Sequence, residues 1–274
     1  MLEPGADCLV YVDPAPRGEW ALALAALLPA RERLSFHLLA TEEDARDDPG
    51  LMERARARLA GAGAVREVVH PGPAEHALVA EAAQRAYALV VVPPAGRNAL
   101  QRMLKGSRVA TVVRSVRAPV LVARRPPPRV QRILAAVSGD RAMAVVAAAS
   151  ELGAGLGARV DHVYVASEVP LPFAPEEAPA AGAGGPDGLA AVRGILADRG
   201  LSGSLLVREG LVVDEVLEAF DSGAYDLLVV GTGSGERVPF GSEDLTERLL
   251  LGCSGSTLVV PAALAPEPRT AHHD

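Results

Sequence analysis

The run Ala88-Leu-Val-Val-Val92 returns later in the chain as Asp226-Leu-Leu-Val-Val230. Each opens into a loop rich in Pro or Gly, Pro93-Pro-Ala-Gly96 after the first and Gly231-Thr-Gly-Ser-Gly235 after the second. Neither run alternates polar with apolar residues, which is the pattern of a strand covered by helices on both faces of a sheet. Working outward, Pro119-Val-Leu-Val122 is matched by Ser256-Thr-Leu-Val259 half a chain length away. In the other direction, Cys8-Leu-Val-Tyr-Val12 is matched by Arg132-Ile-Leu-Ala-Ala-Val137. Asp13-Pro14 follows the first of these and Ser138-Gly139-Asp140 the second; then come Trp20–Leu28 and Ala142–Leu152, both of helical composition. The chain is one unit written twice.

Within the first unit, strands are expected near 8–12, 33–40, 65–69, 88–92 and 119–123, with helices near 18–28, 51–61, 74–86 and 107–116. The second repeats the pattern, with strands near 132–137, 159–165, 203–207, 226–230 and 256–260. Alternation of this kind implies parallel sheets with right-handed crossovers. The expected fold class is therefore α/β, two tandem Rossmann-like domains over residues 1–125 and 130–261. The prolines of Arg125-Pro-Pro-Pro-Arg129 cannot join a sheet ladder and read as a short stiff linker. Residues 168–188 read as a flexible excursion and 262–274 as a flexible tail.

With 274 residues, 49% of them hydrophobic and 22% charged, the chain has ample material for packed cores. A net charge of −7 argues against sequence-independent binding to nucleic acid. Two cysteines exclude a disulfide-dense scaffold. No apolar run approaches the ~20 residues needed to span a bilayer, and the N-terminal residues lack the basic and apolar regions of a signal peptide. The expectation is a soluble cytoplasmic protein with no nucleic-acid or membrane partner.

In an open parallel sheet, ligands bind beyond the carboxyl ends of the strands at the point where strand order reverses. If the first strand is central, that point lies between it and the fourth. Asp13 follows the first strand, and the loop Pro93-Pro-Ala-Gly96-Arg-Asn-Ala-Leu-Gln-Arg-Met-Leu-Lys105-Gly106-Ser107 follows the fourth. Glycine lets a backbone approach a phosphate closely. A Gly-Ser pair opening a helix adds free amides, a hydroxyl and the positive end of the helix dipole. Arg97, Arg102, Lys105 and Arg108 lie in or beside the loop with no acid among them. On spacing alone Asp13 before Pro14 is equally a turn-former, and its place at the switch point favours ligand contact; Gly106-Ser107 could be an ordinary helix cap, but its nine-residue spacing from Gly96 favours a phosphate role.

These residues make the sequence resemble a tandem member of the universal stress protein family, over nearly the whole of both halves. Gly96, nine residues and then Gly106-Ser107 match the later part of that family's Gly-x2-Gly-x9-Gly-[Ser/Thr] signature, and Asp13 matches its acid. Pro93 stands where the signature has its first glycine. The resemblance implies strand order 3-2-1-4-5, frequent dimerisation and, in some members, binding of ATP or AMP with magnesium. It assigns the nucleoside to Asp13 and the phosphates to Gly96, Gly106 and Ser107, with Lys105 beside them. In the second domain Ser138 replaces the acid, and Glu236, Glu243, Asp244 and Glu247 outnumber Arg237 and Arg248 around the loop, so that site reads as degenerate.

No nucleophile–base pair or carboxylate dyad emerges, so at most slow ATP turnover is expected rather than a dedicated enzyme. The histidines show no metal-ligand spacing. His37 and His162 fall in the second-strand regions, Cys8 reads as a small core residue and Cys253 lies in a turn. Besides the least favoured one, a weak ATP hydrolase of the related adenine-nucleotide α-hydrolase-like group, two readings remain open. One is a stress-response module that binds adenine nucleotide through the first domain, with the second domain packed against it. The other is a nucleotide-independent module that acts on an unknown protein partner, either as a single chain or as a homodimer.

Overall fold

The computed structural model describes residues 2–94, 115–138, 142–166, 189–190, 192–194, 197, 203–232 and 245–261. The first domain contributes β1 (Asp7–Tyr11), α1 (Gly18–Ala25), β2 (Ser35–Thr41), α2 (Glu42–Asp47), α3 (Leu51–Arg58), β3 (Ala64–His70), α4 (Ala74–Gln84), β4 (Leu89–Val92) and β5 (Val120–Val122). The second contributes β6 (Arg132–Ala136), α5 (Ala142–Leu156), β7 (Arg159–Ala166), β8 (Leu205–Glu209), α6 (Val212–Ser222), β9 (Leu227–Gly231), α7 (Leu245–Gly252) and β10 (Ser256–Val260).

Each half is a parallel sheet of order 3-2-1-4-5, and the two halves form one ten-stranded sheet, β3-β2-β1-β4-β5-β10-β9-β6-β7-β8. All pairings are parallel except the seam, where Val120–Val122 of β5 runs antiparallel to Thr257–Val259 of β10. The seam is short, and side chains reinforce it. Leu24 of α1 and Leu28 just after it line an all-aliphatic crevice with Leu121, Val130, Leu152 and Leu227 across it. Gly155 on α5 lies so close to Pro29 that a Cβ there would sit 2.6 Å from the proline ring. The cores on the two sheet faces each draw buried residues from both halves, Leu28 with Leu152 on one and Val120 with Val259 on the other.

The central strands are continuous apolar runs because both faces are covered: Leu9, Val10, Val90 and Val91 are fully buried. Several local features differ from expectation. The first helix stops at Ala25, ahead of Pro29 and of Ala30 in the left-handed region at φ 51°. The third stops at Arg58, ahead of Gly61 with φ 85°. α2, not expected, forms through a capping box in which the Thr41 hydroxyl accepts the Asp44 amide and the Asp44 carboxylate accepts the Thr41 amide. The expected helix at 107–116, the excursion at 168–188 and the tail at 262–274 lie wholly or almost wholly outside the described residues.

Both cysteines are buried and free, Cys8 on one face of the sheet and Cys253 on the other. His37 and His162 are both buried in second strands but differ in register. His37 pairs with Leu9, whereas His162 sits one position further along β7 and so on the opposite face.

Candidate functional site

β1 is flanked by β2 and β4, so the reversal of strand order falls at the carboxyl ends of β1 and β4. Val10 lies opposite Val91, which brings the residues after Tyr11 level with those after Val92. Asp13 therefore stands beside buried Pro93 and Pro94 at the mouth of the crevice. The other candidate residues, Gly96, Lys105, Gly106 and Ser107, lie outside the described residues.

Asp13 is half-buried, and its Oδ1 accepts the Ala15 amide at 2.8 Å. This is the turn the Asp-Pro pair suggested, and it uses one oxygen. Among the described residues the other oxygen has no hydrogen-bond partner. Burial pushes the Asp13 carboxyl above its usual range, the Ala15 amide opposes this, and the nearby Asp44 carboxylate adds to the rise.

Asp44 is the centre of a cluster the sequence reading missed. Tyr11 donates its hydroxyl to Asp44 Oδ2 at 2.6 Å and Thr41 donates its own at 2.7 Å. The link joins the carboxyl end of β1 to the start of α2 and pins the rim on which Asp13 sits. Its signal was legible in Thr41-Glu-Glu-Asp44, a hydroxyl residue and an acid three apart directly after an apolar run. Tyr11's share was not, because its partner is 33 residues away.

The position of Asp13 also depends on Gly18, the first residue of α1. A Cβ at Gly18 would lie 1.9 Å from the Asp13 carbonyl oxygen, so helix and strand end approach as closely as backbone allows. Gly18→Ala is expected to push the two apart and lower stability by about 1–3 kcal/mol, the usual range for overpacking. Urea unfolding followed by the fluorescence of Trp20, the single tryptophan, measures this two residues from the change.

In the second domain, exposed Ser138 stands in the register position of Asp13 and offers no charge. At the far side of that crevice Thr246 donates its hydroxyl to the Gly231 carbonyl at 3.2 Å. The acids around the second loop, apart from Glu247 on α7, lie outside the described residues. Among the described residues no cluster of His, Cys, Asp and Glu is arranged to hold a metal ion, and no helix is long and apolar enough to cross a membrane.

The family model described as the universal stress protein family matches residues 8–124 and again residues 129–261. The chain belongs to the universal stress protein family. Solved structures of the same tandem form show the same fold. A functionally unknown protein from Pseudomonas aeruginosa PAO1 is 16% identical, covers 95% of this chain and 94% of its own, and has a TM-score of 0.69. A universal stress protein from Archaeoglobus fulgidus DSM 4304 is 12% identical, with coverage of 93% and 98% and a TM-score of 0.68. No curated protein sequence matches the chain. At such identities these structures share the architecture of this universal stress protein, and site chemistry must be read from this chain's own residues.

Proposed function

We propose that this universal stress protein is a cytoplasmic stress-response module whose first domain binds an adenine nucleotide, ATP or AMP, with magnesium. The observation that carries the reading is Asp13, a half-buried carboxylate at the strand-order reversal with one oxygen that no described residue engages. A carboxylate there accepts hydrogen bonds from nucleoside hydroxyls, while Gly96, Gly106, Ser107 and Lys105 supply amides, a hydroxyl and a cation for phosphate. The second domain, with Ser138 in place of the acid, serves as a packing partner across the seam.

Calorimetric titration with magnesium-ATP tests this. Binding near ~1 μM is expected, weakened about tenfold by Asp13→Asn and by Ser107→Ala, each removing roughly one charge-assisted or phosphate contact. Asparagine keeps the turn to Ala15, so the Asp13→Asn protein is expected to retain its stability, and loss of affinity is then loss of a ligand contact. Because Asp13 takes up its proton above the usual aspartate range, affinity should fall as pH drops through that raised value.

A second reading rests on Pro93, which is buried and has no amide to offer where the family signature has glycine. If millimolar nucleotide produces no heat with a folded protein, both sites have decayed and a protein partner carries the function.

A further inference from the structure

β7 carries a polar residue where the matching strand of the first domain has an aliphatic one. In the shared register Arg132 occupies the place of Asp7 and Asp161 that of His37, which puts His162 in the place of Leu38. Leu38 is fully buried in the core beneath α1 and α3. His162 is placed as deeply, at 2% exposure. Alternate residues of a strand share a face, so it lies between Val160 and Tyr164 on the face that α5 covers. Among the described residues its Nε2 has no hydrogen-bond partner. The buried histidine of the first domain differs in this respect, for His37 Nε2 lies 3.1 Å from Asp7 Oδ1.

The elements packed around His162 present apolar side chains to that face. Its register partners are Ala135 on β6 and Leu205 on β8. α5 turns Val145, Ala149 and Leu152 into the same core, which Val192 also joins. The helix lies close: a Cβ at Gly153 would come 2.3 Å from Val160 Cγ2.

Charged groups in the neighbourhood face elsewhere. On β7, Asp161 points to the opposite face, where Arg159, Arg132 and Tyr225 bond it. Tyr164 shares the face of His162, and its hydroxyl is bonded to the Leu189 backbone. Arg132, at the start of β6, lies on the Asp161 side. On β8, Arg208 reaches across to Glu215 of α6, and exposed Glu209 pairs with Ala166 at the far end of β7. Glu151 on α5 and Arg193 are exposed.

We propose that His162 makes the second domain acid-labile: when its imidazole takes up a proton, the core between β7 and α5 opens to hydrate the charge, and the seam contacts that α5 carries loosen with it. Those contacts are Leu152 and Leu156 in the aliphatic crevice with α1, and Gly155 against Pro29. Histidine changes charge between about pH 5 and 8, and a charge held among apolar side chains without a partner is costly. Leu38 gives the first domain no counterpart at this place.

Burial sets the direction. It lowers the His162 pKa, against a smaller opposing pull from the Asp161 carboxylate. An opened chain therefore takes up the proton first, near the ordinary value of ~6.5. The stability that the neutral ring permits is full above that value and is lost as pH falls below it. Asp161 keeps its charge through the same range, because the Ser204, Arg159 and Tyr225 bonds hold its carboxyl low.

Hydrogen exchange on the full chain, corrected for the chemical exchange rate, tests this. Between about pH 7.5 and 5.5 the slowest amides of β7 and α5 are expected to lose about tenfold in protection, which is the limit for one histidine with an ordinary value near ~6.5. His162→Leu copies the first domain, and His162→Gln is neutral at both ends of the range; each should remove that loss. Proton NMR of the wild type should show the His162 ring titrating below its ordinary value. Wild-type protection that does not change, a loss that persists undiminished in both variants, or a ring that titrates at or above ~6.5 would overturn the proposal.

Discussion

Asp161→Ala is expected to lower the unfolding free energy by about 3 kcal/mol, the lower end of what breaking a buried ion pair costs. Asp161 is 2% exposed and gathers five donated bonds from four residues. The Ser204 amide reaches it at 2.8 Å, the Arg159 Nε at 3.0 and 3.1 Å, the Tyr225 hydroxyl at 3.1 Å and the Arg132 guanidinium at 3.4 Å. The truncated protein leaves a buried hydroxyl and an amide without an acceptor. The two arginines, about half exposed, regain water, which keeps the cost from climbing further.

The pH dependence of that loss has a definite sign. Burial pushes the Asp161 carboxyl up, but the Ser204, Arg159 and Tyr225 bonds outweigh it and set the folded-state value below the usual one. A depressed folded pKa contributes stability that is full above the unfolded value near ~4 and is lost as pH falls through the folded value. Urea midpoints of wild type and variant should therefore differ most at neutral pH and converge in strong acid. A gap that stays constant down to the acid transition would mean that the carboxylate's charge contributes nothing.

The second large effect is expected at the seam. Arg124 lies two residues beyond the first domain's last strand, and its guanidinium caps the carboxyl end of α7 in the second. It donates to the carbonyls of Leu250 at 3.1 Å, Leu251 at 3.4 Å and Cys253. Its own backbone is bound from the other side, the amide donating to Ser256 Oγ at 3.0 Å and the carbonyl accepting that hydroxyl at 3.2 Å. The last carbonyls of a helix have no partners within it and carry the negative end of its dipole, so a planar cation with several donors suits them.

Arg124→Ala should cost about 2–3 kcal/mol, the loss of charge-assisted bonds to otherwise orphaned carbonyls. Arg124→Lys should recover less than half, because a point charge cannot span three acceptors. Only three residue pairs join β5 to β10, so the loss should appear as independent loosening of the halves. Thermal unfolding would then split, with Trp20 fluorescence reporting the first domain and far-UV circular dichroism both. A single coincident transition in the alanine variant would show that the aliphatic contacts between α1 and α5 hold the halves together without the clamp.

The repeat, the strands and their parallel order were legible because they depend on local pattern: doubly covered strands must be apolar throughout, and strand–helix alternation admits few topologies. Asp13 was legible for a related reason, since the end of a central strand is a fixed place in such a sheet. Tyr11 with Asp44, the clamp from Arg124 to α7, and the hub at Asp161 were not legible. Each depends on a contact between residues 33 or more apart in sequence: Tyr11 with Asp44, Arg124 with Leu250, and Tyr225 with Asp161.

The sequence alone determined that this protein is a tandem universal stress protein with an acid at the mouth of its first crevice and none in the matching place of the second. Only the tertiary structure decided that the halves merge into one ten-stranded sheet through an antiparallel seam, and that Asp7–His37 in one half answers to Arg132–Asp161 in the other. Apolar periodicity reports which side of an element is buried. Which residues meet follows from strand register, which is set when the elements pack.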